Sequence, residues 1–383
     1  MVEQVVGYFA EYLGCVIWCL FFWQVVSASL PKPFKKTPHC LMLFISNSEK
    51  WRKLQMKLSL ATWDHDRCMP LHEGRVSIPG VEFESHILPT GKLFPIAVQE
   101  ARFDITELSI SSYILQVSRG ESAYTAIPAF VSRSFRHNGF YARAGSGVEK
   151  LEDLAGKRIG VPEYQMTAAL WMRGLLSDEY GISPAGIHWR TGALDTGVRH
   201  ERLSLDLPEC MVVESIRDGE TLQDLLLRGD LDALLAPNPP SAFLNGNPEI
   251  IRIVKDFGST ERAYHKKTGF FPIMHLIAVR KSLVDENPEL PVALLAAFTE
   301  ARNIAMQDLR ELWLGSANRL SLPWLNEAME KTISAMGPDY WPYGYAQNQT
   351  EIETACRYSI EQHLAARLVS PEELFPLCVM ESF

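Results

Sequence analysis

An α/β protein of two lobes, with the chain crossing between them twice, is the fold class this sequence predicts. Three observations predict it. Short apolar strands alternate with amphipathic helical stretches from Met56 to about Tyr180. A second strand–loop–helix block opens afresh at Gly156-Lys-Arg-Ile-Gly-Val161. An apolar strand then returns at 270–279, and everything after it reads as helix. The crossings are expected near 138–145 and 266–278. Residues 56–140 with 270–383 are expected to form one lobe, and 141–269 the other.

The composition narrows the class. The chain has 383 residues, 47% hydrophobic and 22% charged, with a net charge of -9. That is a folded globular composition with room for two domains, and its acidity excludes a general nucleic-acid binder. The seven cysteines are scattered with no CxxC pair, so neither a disulfide framework nor a zinc site is indicated. GlyxSerxGly, HExxH and a phosphate-binding glycine motif are absent, which removes the commonest hydrolase and zinc-protease readings.

Residues 1–55 form an extension unlike the rest. From Tyr12 to Leu30 there are 19 residues without a formal charge. That length suits a membrane anchor, and Val26-Ser-Ala28 suits a signal-peptidase site. Glu3 and Glu11 precede the run while Lys32, Lys35 and Lys36 follow it. The positive flank keeps the downstream chain on the cytoplasmic side, so the expected location is cytoplasmic, or membrane-anchored or periplasmic if the segment is genuine. The plainer reading is that the working chain starts at Met56.

From there the elements follow in order. Met56 to Ala61 is a first strand ending in the polar turn Thr62-Trp-Asp-His-Asp-Arg67. Trp63 can stack on a flat ligand and Asp64 or Arg67 can orient it, or all can serve a capped turn. Asp64, His65, Asp66 and His72 are metal-ligand types, but adjacent side chains diverge, so no metal is expected. A second strand covers 81–87, a helix 93–101 and a third strand 103–108. Ser109-Ile-Ser-Ser-Tyr113 opens the next helix. Ser109, Ser111 and Ser112 are capping residues that can also donate to an anion.

Ser132-Arg-Ser-Phe-Arg-His137 places two arginines and a histidine within five residues. Arginine forks suit carboxylates, and histidine suits proton transfer near neutrality. In extended chain Arg133 and His137 share a face, with Arg136 on the other. Next, Ile159-Gly-Val161 leads through Pro162 into a helix from Thr167 to Tyr180, stopped by Gly181. Tyr164, Gln165 and Thr167 lie at this junction, where free backbone N–H groups and the helix dipole favour a carboxylate. His188–Gly192 reads as a strand, 219–229 as a helix and 230–236 as a buried strand. His275 is the single histidine of the 270–279 strand, a core residue unless that strand lines a cleft. Helices are expected over 292–312, 324–336 and 350–364, with an aromatic loop, Asp339-Tyr-Trp-Pro-Tyr-Gly344, between the last two.

Taken together, Ser109-Ile-Ser-Ser-Tyr113, Ile127-Pro-Ala-Phe130, Ser132-Arg133, Phe135-Arg-His137, Gly160-Val-Pro-Glu-Tyr-Gln-Met-Thr167, Phe271-Pro-Ile-Met-His275, Trp341-Pro-Tyr-Gly344 and Arg357-Tyr-Ser359 resemble the 4,5-dihydroxyphthalate decarboxylase family, on a type II periplasmic-binding-protein-like fold. The resemblance spans Met56 to Phe375. Position 65 departs from it: a histidine stands where that family carries an aromatic residue. The resemblance implies loss of one carboxylate from a hydroxylated aromatic dicarboxylate in the cleft between lobes, without a cofactor. The small aromatic acid would be the partner, with a homo-oligomer left open. Set against the residues, that chemistry gives the carboxylates to Arg133 and Arg136, proton transfer to His137 or His275, and stacking to Trp63. Tyr164, Gln165 and the serine loop would orient the ring. The rival reading is a solute-binding protein on the same fold, which needs the arginines but no acid–base pair.

Overall fold

The computed structural model describes residues 56–381. The apolar segment 12–30, with its competing readings, lies outside the described residues. Among those described, no helix is long and apolar enough to cross a membrane.

Two sheets organise the chain. The first contains β1 (Met56–Thr62), β2 (Val81–Ile87), β3 (Ile105–Ser109), β4 (Tyr124–Arg133) and β11 (Ile273–Arg280), in the order β2-β1-β3-β11-β4. Strand β1 is parallel to both neighbours and buries Leu58, Leu60 and Ala61. All five residues of β3 are buried, because it is covered on both faces as the inner strand of an α/β sheet must be. The second sheet contains β5 (Phe140–Arg143), β6 (Arg158–Val161), β7 (His188–Thr191), β8 (Val213–Ser215), β9 (Ala233–Leu235) and β10 (Ile250–Arg252), in the order β10-β5-β9-β6-β7-β8.

The chain therefore leaves the first sheet after β4, builds the second, and returns as β11. That strand is inserted antiparallel between β3 and β4. A returning strand seated between the third and fourth, with two crossings, is the type II two-lobed topology.

The return is irregular where it matters. Against β4 the register of β11 shifts on both sides of His275, between Ile273 and His275 and again between His275 and Ile277. Such bulges re-aim a side chain out of the regular pleat. Against β3, His275 lies opposite Ser109.

Helices cover these sheets. Helix α1 (Ile110–Arg119) starts at the Ser109 cap, and α2 (Thr167–Tyr180) ends at Gly181 in the left-handed conformation. Helix α3 (Phe257–Thr268), α4 (Leu290–Leu314), α5 (Leu325–Met336) and α6 (Gln349–Glu361) follow. At Gly174 a Cβ would stand 2.1 Å from the Tyr358 ring, so α2 and α6 touch closely enough that only glycine fits. The helix expected over 93–101 is instead Thr90–Pro95 followed by a π-turn, Ile96–Glu100. Pro95 lacks the N–H that would continue a regular helix.

Candidate active site

The site is built on Glu107, a carboxylate in the middle of β3 with no solvent exposure. A buried charge needs partners, and Glu107 has three. Its Oε2 accepts from the backbone N–H of Trp63 at 2.8 Å. Its Oε1 faces His65 Nε2 at 3.0 Å and His275 Nδ1 at 2.6 Å. Burial alone would push this carboxyl up, but the hydrogen bonds from His275 and His65 outweigh it and hold Glu107 well below the usual carboxylate range. It is an anion at neutral pH. An ionised carboxylate only accepts, so His275 donates through Nδ1–H and its Nε2 carries the lone pair. Burial keeps the His275 pKa below its ordinary value, although Glu107 pulls the other way. The imidazole is thus neutral, and its Nε2 has no hydrogen-bond partner among the described residues.

The surroundings suit a flat anion. Phe94 packs edge-on to His275 with ring centres 4.8 Å apart, and the 41% exposed Trp63 stands 5.8 Å from His65. Arg136 lies close enough to depress His275 by charge. Its Nε contacts Met274 Sδ at 3.3 Å, and it makes no ion pair among the described residues. Burial lowers its pKa to about 10, still a cation at neutrality, with Glu261 as its charge neighbour. A part-buried guanidinium with no ion pair among the described residues has donors that suit a carboxylate.

The serine loop after β3 of the first sheet meets the α2 junction after β6 of the second. Ser109 Oγ and Thr167 Oγ1 are 2.7 Å apart, the Ser111 N–H donates to Thr167 Oγ1 at 3.3 Å, and Ser112 Oγ donates to Gln165 Oε1 at 3.4 Å. Ser111 Oγ is buried without a partner among the described residues. The N–H groups of Tyr164 and Gln165, read from sequence as a carboxylate site, are already taken by the carboxylate of Glu201. Beside it Arg199 and Arg202 hold Glu163.

Several expectations need correction. Arg133 does not offer its guanidinium to a ligand: it donates to Phe271 O, Pro342 O and Asn348 and pairs with buried Glu351 at 3.2 Å. Strand β4 ends at Arg133 and residues 137–139 form a 3₁₀ turn, so the alternation that put Arg133 and His137 on one face stops there. His137 is buried against Tyr264, with ring centres 5.1 Å apart, and does not join His275. The Tyr164 side chain is fully buried under Arg173, which lies 3.7 Å from its ring centre. Asp64 is exposed and makes no contact with the carboxylate–imidazole group. Glu107 was missed because one acid in an apolar strand reads as ordinary alternation. His65 was weighed with Asp64, Asp66 and His72 as a metal ligand and set aside because adjacent side chains diverge; its partners stand on other strands. Among the described residues, His65, Glu107 and His275 form a cluster whose potential ligand atoms lie within 4.8 Å of one another.

No protein-family model matches the chain. It is 36% identical over 329 residues to a 4,5-dihydroxyphthalate decarboxylase of Comamonas testosteroni, covering 86% of this chain and 99% of that relative. It is 39% identical over 202 residues to one of Pseudomonas putida, covering 53% and 78%. Among solved structures it is similar to a putative periplasmic sulfonate-binding protein from Methylobacillus flagellatus, with a TM-score of 0.49 and 12% identity over 84% of this chain and 92% of that one. A periplasmic aliphatic sulphonate binding protein from Escherichia coli gives 0.46 and 12% over 83% and 91%. With near-complete coverage of a relative at this identity, the chain belongs to the 4,5-dihydroxyphthalate decarboxylase family.

Proposed function

We propose that the protein converts 4,5-dihydroxyphthalate to 3,4-dihydroxybenzoate and CO2, with His275 as the proton-handling group and Arg136 as the carboxylate anchor. In this substrate each carboxylate is para to a hydroxyl. Removing the phenolic proton drives electron density to the carbon that bears the carboxylate. That carbon takes a proton from the medium, the bond to the carboxylate breaks, and CO2 leaves. The free Nε2 of His275 accepts the phenolic proton and returns it to the product phenolate. Glu107 steadies the imidazolium formed in between. Arg136 holds the carboxylate that stays. Phe94 and Trp63 wall the ring, and Ser111 Oγ, buried with no partner among the described residues, donates to a ligand oxygen.

The observation that carries this reading is the pairing of buried Glu107 with His275 at a double bulge, beside a cation, Arg136, that makes no ion pair among the described residues. A solute receptor needs the cation and the aromatic walls. It has no use for an imidazole polarised by a buried carboxylate.

The test is turnover of 4,5-dihydroxyphthalate by the full chain, followed as CO2 release and product absorbance. His275→Gln is expected to keep ligand binding while kcat falls about 10²–10⁴-fold, the usual worth of a general base. Tight binding without turnover in the unaltered protein would leave a receptor instead.

A further inference from the structure

The two imidazoles and one carboxylate at the site pose a choice that their own positions leave open. His65 Nε2, His275 Nδ1 and a Glu107 oxygen lie within 4.8 Å of one another, a donor set that also suits a divalent cation. Arg67 decides between the two arrangements. Its NH2 is 3.1 Å from His65 Nδ1, and a guanidinium has only donors. His65 Nδ1 must therefore accept, which puts the ring proton on Nε2, facing Glu107. A metal-bound histidine has the reverse arrangement. Its ligating nitrogen is bare, and the other one donates to a carboxylate or carbonyl.

Nor is Arg67 free to swing away. Its Nε donates to Val131 O at 2.6 Å, its NH1 donates to Asp66 Oδ1 at 2.7 Å, and its guanidinium lies 4.0 Å over the Trp341 ring. Trp341 is itself tied by Nε1 to Phe130 O at 2.9 Å.

We propose that Arg67 is a positioning residue that fixes His65 as the Nε2–H tautomer, so that the cluster holds protons rather than a metal ion. With both imidazoles donating to Glu107 Oε1, the carboxylate stays charged and His275 Nε2 stays open to substrate. The inference deepens the decarboxylase reading, and its effect on turnover rests on that reading; the tautomer does not.

The experiment labels the histidines of the full chain with 15N and reads which ring nitrogen of His65 bears the proton, with His65→Phe identifying the signal. The expected result is Nε2–H in the unaltered protein. Arg67→Met keeps the length of the stem but removes the donors, and is expected to move proton density to Nδ1. Arg67→Lys keeps a donor and is expected to retain the original tautomer. In parallel, kcat should fall about tenfold in Arg67→Met with KM within twofold, and recover in part in Arg67→Lys. Added Co2+ should give no visible band that depends on His65. An Nδ1–H tautomer in the unaltered protein would overturn the proposal, as would a stoichiometric Co2+ band lost in His65→Phe. A tautomer indifferent to Arg67→Met would do the same. Should Arg67→Met fail to fold, the tautomer and the Co2+ titration of the unaltered protein still decide. Loss of turnover on every substrate tried, with the tautomer as expected, would count against the decarboxylase reading alone.

Discussion

At the scale of single residues, the site divides by protonation. His275 must be neutral to take a proton, and burial sets its pKa below the ordinary 6.5. The acid limb of kcat/KM is therefore expected below pH 6.5, with activity lost as pH falls through the His275 pKa; a limb above 6.5 would point to another base. Arg136→Gln removes a charge-assisted contact worth about 1.5–3 kcal/mol, so KM for the dicarboxylate should rise roughly 10- to 150-fold with kcat less affected. A kcat/KM titration of both variants checks the division of labour. His275 and Arg136 stood among the sequence candidates, His275 as the single histidine of an apolar strand and Arg136 as part of the Arg-Ser-Phe-Arg-His run. Glu107 was not among them, since its partners come from two segments far from it in sequence, the turn 63–65 and strand β11. Arg133 misled because its face was inferred from an extended chain that ends at that residue.

At the scale of elements, the sequence showed β1, β2, β6 and α2 close to where they stand, because turn residues bound each of them. It did not show β8, β10 or α3. The two strands are three residues each, and α3 buries only Tyr264, so neither has an apolar stripe to read. Contacts between elements are less visible still. Nothing near Gly174 announces Tyr358, yet the helix pair tolerates no Cβ there. Gly174→Ala is expected to destabilise by about 1–3 kcal/mol through overpacking, seen as a lowered denaturation midpoint with an unchanged slope.

At the scale of the whole molecule, the double crossing was legible from order alone: strands, a fresh strand–loop–helix block, then a return strand. What holds the return in place was not. Buried Glu351, on α6, accepts from the Ile273 N–H at the start of β11 and pairs with Arg133 at the end of β4. Glu351→Gln leaves that guanidinium buried without its counter-charge, and a loss of about 3–5 kcal/mol is expected by denaturant titration. His137 gives the fold its own pH response. Burial lowers its pKa to about 4, so between pH 6.5 and 4 the unfolded chain binds the extra proton. Stability contributed by neutral His137 is complete above 6.5 and is lost as pH falls to 4, by on the order of 3 kcal/mol. His137→Gln should flatten that part of the stability profile. The carboxylate of Glu201 on the N–H groups of Tyr164 and Gln165 has a consequence of a different kind. A tethered group acts as a competitor that dilution cannot remove, at an effective concentration in the millimolar range or above. Small acids present at lower concentration are kept off the junction.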